Sequence, residues 1–398
     1  MAQQKISTPS LEARHRPSGL NSRFTGEKSG FTDYVIETRA MITEARVRIG
    51  AIDLEQASNG NSPFQLKPAP GYPPGKGKTY KRGVLLVHGL TDSPYFMRHL
   101  GKFFQEQGFR VMAILLPGHG TQPGDMLDVS WQEWAKAVAY GCDRLAAEAD
   151  DLYLAGFSTG GTLSVYHSLR DKRVRGLFLF SPAFGISPRA AIATWHKLYS
   201  WLWPRAKWVD IKQDKDIYKY ESFPKNAAAQ LYALIQKLHI ALRKRTLSIP
   251  VFAAASADDS TVITPATVQF MAQAAHASNR LVLYTTDIGK PVPNIAAGKL
   301  ELVNSALPAQ KILSSAHTAI VLPPTDAHYG ASGSYSNALH YFPGEMEKYD
   351  ACINKPRSVL QGEVTEQNLQ AGTMRRLMYN PNFAALKISM QKFIETLP

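Results

Sequence analysis

Short apolar runs alternate along the middle of the chain with stretches whose apolar residues recur at helical spacing. The apolar runs are "RGVLLVHGL", "RVMAILLP", "DLYLAGF", "VRGLFLFSPAF" and "IPVFAAAS". Strands that are apolar on both faces are typical of a parallel sheet covered by helices on both sides. The intervening amphipathic stretches, and "FAALKISMQKFIETL" near the C-terminus, would supply such helices. The pattern predicts an α/β fold with a mostly parallel, doubly wound sheet.

The first 80 residues have a different character. Residues 1–30 are polar and mixed in charge, which predicts a loose N-terminal arm. The apolar spacing over residues 31–49 predicts a helix, and the Pro/Gly-rich "NGNSPFQLKPAPGYPPGKGK" after it predicts a linker. We therefore assign residues 1–80 to an arm, a helix and a linker, and begin the main domain at residue 81.

A basic, tryptophan-rich segment interrupts the main domain. Residues 186–248 hold 12 Lys and Arg against 4 Asp and Glu, in a chain with a net charge of +13. Within this segment, "ATWHKLYSWLW" and "AAAQLYALIQKLHIALRKR" both have helical apolar spacing. We expect residues 81–185 and 249–398 to form the core and residues 186–248 to form a helical insertion.

Composition excludes several classes of protein. With 398 residues, 44% of them apolar, the chain can bury a substantial core. No apolar run approaches the ~18 residues needed to cross a bilayer, and the N-terminus lacks the apolar centre of a secretory signal, so we expect a cytoplasmic protein. Cys142 and Cys352 are too few for a disulfide framework and lack CxxC spacing, which predicts free buried thiols.

The candidate chemistry lies at the strand ends, because sites of parallel sheets form beyond the carboxyl ends of the strands. The relevant stretches are "HGLTDSP" (88–94), "PGHG" (117–120), "GFSTGG" (156–161), "ASADDSTV" (255–262) and the later "SSAHTAIVLPP" (314–324). Ser158 lies between glycines at a predicted strand-to-helix turn. A serine there is either an activated nucleophile or an ordinary capping residue.

These motifs resemble those of the α/β-hydrolase superfamily. Residues 156–160, "GFSTG", match its nucleophile elbow, and Ser158, Asp259 and His317 follow its chain order of nucleophile, acid and base. From Arg82 onward the chain is most similar to bacterial carboxylesterases and monoacylglycerol-lipase-like enzymes of the serine aminopeptidase S33-like group. These share the His-Gly strand end, the "PGHG" turn and a cap inserted after the sixth strand. The resemblance therefore implies an α/β-hydrolase fold in which the insertion is the cap.

The resemblance also implies a role for each site residue. Ser158 would attack the substrate carbonyl, His317 would take the serine proton, and Asp259 would orient the histidine. The backbone N–H groups of Leu90 and Thr159 would form the oxyanion hole. These roles need no metal and no other cofactor.

Neighbouring residues compete for two of these roles. The family pattern Gly-x-x-Asp-x-x-Val aligns with residues 256–262 so that Asp259 is the acid, but Ser256 replaces the usual glycine and leaves Asp258 as an alternative. His317 has the Ser-x-His arrangement common in these relatives and is favoured as the base. The other histidines beyond Asp259 are His276, His328 and His340.

Two further stretches admit more than one interpretation. About thirty residues separate "RLVLYTT" from "SSAH", so either an extra hairpin is inserted or "AQKILSSA" is the last strand. The loop at residues 326–342 is rich in tyrosine and histidine, and its aromatic residues either pack structurally or contact substrate. We expect His119, in the "PGHG" turn, to be structural.

The insertion is expected to shape the substrate site, because caps in this superfamily lie over the nucleophile. Trp195, Trp201 and Trp203 are the candidate substrate contacts, although their apolar faces could instead pack on the main domain. A basic, tryptophan-rich cap would also suit peripheral contact with anionic lipid headgroups.

Together these features favour a serine hydrolase that cleaves small-molecule or lipid carboxylic esters through an acyl-enzyme, of the carboxylesterase or monoacylglycerol/lysophospholipid lipase type. A serine peptidase using the same residues is one alternative, but a basic cap argues against binding a substrate amine. A non-catalytic ligand-binding protein on a hydrolase fold is the other. No nucleic-acid-binding module is recognisable, so we expect no nucleic-acid partner.

Overall fold

The structure is a computed structural model that describes residues 10–187 and 204–397. The strands in these ranges are β1 (Phe64–Leu66), β2 (Tyr80–Val87), β3 (Phe109–Ile114), β4 (Ala149–Phe157), β5 (Val174–Phe180), β6 (Trp208–Asp210), β7 (Phe223–Pro224), β8 (Val251–Ser256), β9 (Arg280–Thr285), β10 (Leu300–Asn304), β11 (Leu360–Gly362) and β12 (Met374–Arg376). The α-helices are α1 (Phe31–Arg48), α2 (Leu54–Asn61), α3 (Arg98–Glu106), α4 (Trp131–Glu148), α5 (Thr159–Ser168), α6 (Lys225–Lys244), α7 (Thr264–Gln273), α8 (Met346–Asn354), α9 (Glu366–Gln370) and α10 (Phe383–Ile394).

Eight strands form the central sheet in the order β1, β3, β2, β4, β5, β8, β9, β10. Strand β1 is antiparallel to β3, and every other adjacent pair in this sheet is parallel. The carboxyl ends of β2, β4 and β8 therefore meet at one edge, where ligand sites of such sheets form. The prediction of a mostly parallel, doubly wound sheet is confirmed.

Both faces of the sheet bury an apolar layer. Along β2, Val84 and Leu86 belong to one layer, while Leu85 and Val87 belong to the other, and all four are fully buried. Residues of α3 and α10 complete the first layer, and residues of α4, α5 and α6 complete the second. Burial on both faces is the reason that the strands are apolar throughout rather than alternating.

The N-terminal segment is folded onto the main domain. The prediction of a loose arm is wrong for residues 10–30, because His15, Asn21 and Phe24 are buried. The side-chain amide of Asn21 donates to the carbonyl of His119 at 2.7 Å. Polar contacts of this kind leave no apolar periodicity in the sequence. The predicted helix is α1, but the predicted linker is wrong in part because it contains β1, which extends the sheet by pairing with β3.

Neither interpretation of the chain between β9 and His317 is correct. The last strand of the central sheet is β10, which lies within residues 287–313 and runs parallel to β9, so it forms no hairpin with it. The stretch "AQKILSSA" lies outside the sheet, where Ile312 makes isolated bridges to Leu307 and Gln361. Further on, β11 and β12 form a separate two-stranded parallel ribbon.

Within the predicted insertion, residues 186–248, the structure describes residues 186–187 and 204–248. Strands β6 and β7 form an antiparallel pair, and α6 packs against α4 and α5. The buried face of α6 includes Leu231, Leu234 and Leu238, which join the core layer on that side of the sheet. The helical apolar spacing of α6 is therefore explained by packing on the main domain.

Candidate active site

Ser158 joins β4 to α5 at a strained turn. Its φ and ψ are +52° and −115°, a combination that residues with a Cβ rarely adopt. Two backbone hydrogen bonds of 2.9 Å hold the turn: the Ser158 N–H donates to the Phe180 carbonyl, and the Gly161 N–H donates to the Ser158 carbonyl. The turn places the Ser158 side chain at the carboxyl edge of the sheet, as the sequence predicted.

Gly156 and Gly160 allow strand and helix to approach closely around this serine. A Cβ on Gly160 would lie 2.0 Å from the carbonyl oxygen of Val87, and a Cβ on Gly156 would lie 2.3 Å from the backbone of Gly160. These obstacles are backbone atoms, which cannot move without displacing β2 or α5. The Gly-x-Ser-x-Gly spacing is therefore a packing requirement of the turn.

His317 lies between Ser158 and Asp259. Its Nε2 is 3.0 Å from Ser158 Oγ, and its Nδ1 is 2.7 Å from Asp259 Oδ2. The second carboxylate oxygen of Asp259 accepts the N–H groups of Thr261 and Val262 at 2.8 and 2.9 Å. The structure thus joins the three predicted residues in one chain of hydrogen bonds. This arrangement can move a proton away from a serine hydroxyl.

Asp259 is ionised in this environment. Burial alone would raise the pKa of Asp259, but His317 and the two backbone N–H groups outweigh burial and hold its pKa below the ordinary value. An ionised carboxylate at this position can orient the Nδ1–H of His317 and stabilise an imidazolium.

The competing residues make other contacts. Asp258 hydrogen-bonds to Thr286 Oγ1 at 3.2 Å and to Ser305 Oγ at 3.3 Å rather than to a histidine. His328 Nε2 is 3.3 Å from Asp216 Oδ1, and His276 lies beyond the end of α7. The geometry therefore favours Asp259 and His317.

The loop after β2 passes beside the serine. A Cβ on Gly89 would lie 3.2 Å from the Cβ of Ser158. Within the described part of the chain, the N–H groups of Leu90 and Thr159 donate to no backbone carbonyl. Two unpaired donors next to a nucleophile are what a developing oxyanion requires.

Two buried histidines connect this loop to the "PGHG" turn. The Nε2 atom of His88 accepts the Leu116 N–H at 3.0 Å, and the ring centroids of His88 and His119 are 4.9 Å apart. Burial lowers the pKa of His119 to about 4. Since His119 is fully buried and lies outside the cavity described next, its contacts fit the structural role that we expected.

Ser158 and His317 line a cavity of about 580 Å³. Its apolar wall residues include Leu90, Ile186, Phe223, Ala228, Leu231 and Val262. Its polar wall residues include Asp92, Lys219, Glu221, Tyr335, Asn337, His340 and Arg376. The predicted insertion therefore contributes both apolar and charged groups to the wall. A cavity of this size can hold a small organic substrate.

Lys219, from the insertion, forms an ion pair with Asp92, two residues beyond Leu90. Asp92 is buried, and burial raises its pKa although Lys219 opposes that shift. The ion pair ties the insertion to the loop after β2.

The loop at residues 326–342 lines the cavity at one end and packs in the interior at the other. Tyr335, Asn337, Leu339 and His340 line the cavity, in positions where they can contact a substrate. Tyr329 instead packs in the interior, and its hydroxyl donates to Asp216 at 2.7 Å. The two ends of the loop therefore lie in different surroundings.

Glu221 gives the fold a pH-dependent stability. Its side chain accepts the Tyr335 hydroxyl at 2.7 Å, and burial raises its pKa from 4.5 to about 7. Because the folded protein binds this proton more tightly than the unfolded chain, the contribution of Glu221 to stability is fully present below about pH 4.5 and is lost as the pH rises through about 7.

We expect Glu221→Gln, which keeps an acceptor for Tyr335, to remove this dependence. Its melting temperature relative to wild type should rise by a few degrees between pH 5 and pH 8. Thermal denaturation across that range measures the difference, with the exposed Glu347→Gln as the matched control. A difference that stays constant with pH would show that Glu221 does not titrate in this range.

The remaining sequence predictions concern the tryptophans of the insertion, metal ligands, membrane spans and the two cysteines. Trp195, Trp201 and Trp203 lie outside the described residues, whereas Trp208 is buried against His15. Within residues 10–187 and 204–397, no group of three or more His, Cys, Asp or Glu could hold a metal ion. No helix in those ranges is long and apolar enough to cross a membrane. Cys142 and Cys352 are buried free thiols, as predicted.

The sheet order and the strained serine turn define an α/β-hydrolase fold. The chain belongs to the family described as "Serine aminopeptidase, S33", whose sequence model matches residues 78–319. The residues from 320 onward, and most of the N-terminal segment, lie outside that match.

Two curated relatives resemble parts of the chain. A thermostable monoacylglycerol lipase of Bacillus sp. (strain H-257) is 34% identical over 109 residues, which cover 27% of this chain and 44% of the relative. A carboxylesterase of Bacillus subtilis (strain 168) is 33% identical over 91 residues, which cover 22% of this chain and 37% of the relative. The chain thus matches less than half the length of each.

Solved structures include similar folds. The monoacylglycerol lipase of Paleococcus ferrophilus is 18% identical with a TM-score of 0.44, over 56% of this chain and 88% of that one. A structure described under the metagenome-derived lipolytic enzymes LipS and LipT is 23% identical with a TM-score of 0.46, over 56% of this chain and 87% of that one.

Proposed function

We propose that the protein is a serine hydrolase that cleaves carboxylic esters through an acyl-enzyme. The observation that carries this proposal is the chain of hydrogen bonds from Ser158 Oγ through His317 to Asp259, at 3.0 and 2.7 Å, in the wall of a cavity. The family membership and the names of the two curated relatives support the reaction class. Ser158, His317 and Asp259 are the catalytic residues in this account.

The proposed reaction has two halves. Ser158 Oγ attacks the ester carbonyl carbon while its proton passes to His317 Nε2, and the carbonyl oxygen becomes an oxyanion held by the N–H groups of Leu90 and Thr159. The C–O bond to the alcohol then breaks, and His317 returns the proton to the leaving alcohol. In the second half, water loses a proton to His317 and attacks the acyl-serine, which releases the carboxylic acid and restores the serine hydroxyl.

The cavity wall supports an ester with an apolar acyl chain and a polar alcohol. The apolar wall residues would bury the chain, and the polar wall residues would contact the alcohol. Monoacylglycerols and lysophospholipids have this division. Contact with an anionic membrane is a further part of the proposal, and its support is the excess of Lys and Arg in residues 186–248.

One observation favours a peptidase as the second candidate. Glu221 is an acidic residue of the insertion that lines the cavity, where it could meet a substrate amine. Lys219 lines the same cavity and would repel that amine. A test of function therefore has to include amide substrates.

A panel of p-nitrophenyl esters from acetate to palmitate, together with amino-acid p-nitroanilides, separates the two candidates. We expect kcat/KM to increase by up to about fourfold per methylene until the apolar wall is covered, because each buried methylene contributes about 0.8 kcal/mol. The esters should react with a clear optimum of chain length, and the anilides should be poor substrates. Faster cleavage of the anilides would overturn the esterase proposal in favour of the peptidase.

A further inference from the structure

A buried ion pair lies next to the His317–Asp259 hydrogen bond. Glu363 directly follows β11 and Arg376 ends β12, and the parallel ribbon brings them together because Gly362 is in register with Arg376. The Arg376 Nη2 atom is 2.9 Å from Glu363 Oε1. Both residues lie outside the part of the chain that the family model matches.

Glu363 contacts the backbone of the proposed base. Its side chain is fully buried, and its Oε2 accepts the N–H of His317 at 2.9 Å. His317 does not end a strand but begins a short 3₁₀ turn, so the central sheet alone does not hold it in place. The hydrogen bond from Glu363 supplies an anchor at that point.

Arg376 contacts the loop that carries the proposed acid. Its Nη2 donates to Thr261 Oγ1 at 2.6 Å, and the Thr261 N–H in turn donates to Asp259 Oδ1 at 2.8 Å. A second hydrogen-bonded path thus runs from His317 through the ion pair to Asp259. It is separate from the direct bond between the two side chains.

Stability alone is a weak explanation for this pair. Burying two charges carries a large desolvation cost, and apolar side chains of similar volume are often as stable or more so. Burial would raise the pKa of Glu363, but Arg376 outweighs burial, so the carboxyl is ionised and the pair is a true ion pair. What the pair provides that apolar residues cannot is directional hydrogen bonding to two catalytic segments.

We propose that Glu363 and Arg376 are positioning residues that hold the His317 backbone and the Asp259 loop at the separation the proton transfer requires. This inference rests on the proposed use of Ser158 as the nucleophile. Misplacing a catalytic group by about 1 Å can cost about 100-fold in rate. Removing the ion pair should therefore slow chemistry at Ser158 more than it weakens substrate binding.

The test is the double variant Glu363→Leu/Arg376→Met, which removes every hydrogen bond of the pair without leaving a lone buried charge. The primary measurement is the rate constant for phosphonylation of Ser158 by a fluorophosphonate, followed by intact-protein mass spectrometry. This readout depends on the activated serine and not on which substrate the protein takes. We expect the rate constant to fall about 10- to 100-fold. With the preferred ester, kcat should fall about 10- to 100-fold, whereas KM should change only by the few-fold expected from losing the Arg376 side chain in the cavity wall.

A matched pair controls for the loss of an ion pair as such. Arg110 is buried at the start of β3, near the opposite edge of the sheet, and its Nε is 2.7 Å from Glu148 Oε2. The variant Arg110→Met/Glu148→Leu should phosphonylate within about twofold of wild type, even if its melting temperature falls. An equal loss of rate in both double variants would assign the effect to stability and overturn the positioning role.

A third variant covers the case in which Glu363→Leu/Arg376→Met does not fold. Thr261 is exposed, and Thr261→Val removes only the acceptor of Arg376 while keeping the backbone bond to Asp259. We expect a several-fold lower phosphonylation rate at an unchanged melting temperature. Wild-type rates in Thr261→Val, or in a folded double variant, would overturn the inference. Normal phosphonylation of wild type without ester hydrolysis would instead count against the ester substrate alone.

Discussion

Replacing Ser158 by alanine should reduce kcat for the preferred ester by about 10⁴- to 10⁶-fold, the range expected when the nucleophile of such a residue set is removed. The variant loses the Oγ that lies 3.0 Å from His317 Nε2, and no other hydroxyl of the described residues occupies that position. Alanine keeps the Cβ that already tolerates the positive φ at this turn, so the fold should persist. Steady-state kinetics with purified wild type and variant measure the loss.

Ser164→Ala is the matched control for this experiment. Ser164 is a buried serine in α5, the helix that follows Ser158, and its Oγ donates to the carbonyl of Gly160 at 2.7 Å rather than to a histidine. We expect its kcat to stay within a few-fold of wild type. An active Ser158→Ala enzyme, or an equal loss in both variants, would be incompatible with Ser158 as the nucleophile.

The two adjacent aspartates should differ by about three orders of magnitude in their effect on catalysis. Asp259→Asn replaces the partner of His317 Nδ1 with an amide, which can hold the imidazole in the wrong tautomer and lower kcat by about 10³- to 10⁴-fold. Asp258→Asn changes only contacts with Thr286 and Ser305, so its kcat should stay within about threefold of wild type. The two variants differ by one position and introduce the same side chain, which makes each the control for the other.

The same kinetic assay and a melting curve for each variant measure this difference. Similar activity in the two variants, with both folded, would remove Asp259 from the mechanism. A large loss in Asp258→Asn alone would instead identify Asp258 as the acid. The sequence left that alternative open because Ser256 stands where the family pattern has glycine.

The sequence predicted the sheet and the three proposed catalytic residues because each depends on a local signal. Fully apolar runs indicate strands buried on both faces, and the glycines flanking Ser158 are required by atoms that come within 2.0 to 2.3 Å of their missing side chains. Asp259 and His317 were chosen because their surroundings resemble two family motifs, Gly-x-x-Asp-x-x-Val and Ser-x-His. These features are visible without knowledge of any distant contact.

The parts that the sequence did not predict depend on pairing between distant residues. Lys219 meets Asp92 only after the insertion folds back over the loop that follows β2, and neither residue type indicates a partner by itself. Glu363 follows one short strand and Arg376 ends another, neither strand has a clear period, and the register of the two strands brings these residues together. The contact of residues 10–30 with the main domain through polar groups such as Asn21 was hidden for the same reason.

The most direct test of the central claim is to find where an acyl group from an ester substrate becomes attached. Wild-type protein mixed with a p-nitrophenyl ester and quenched in acid within the first turnover can be digested and its peptides examined by tandem mass spectrometry. The account predicts one acylated site, Ser158, which is absent when His317 is replaced by alanine. Rapid ester hydrolysis with no acylated Ser158, or with the acyl group on another residue, would contradict the proposed acyl-enzyme.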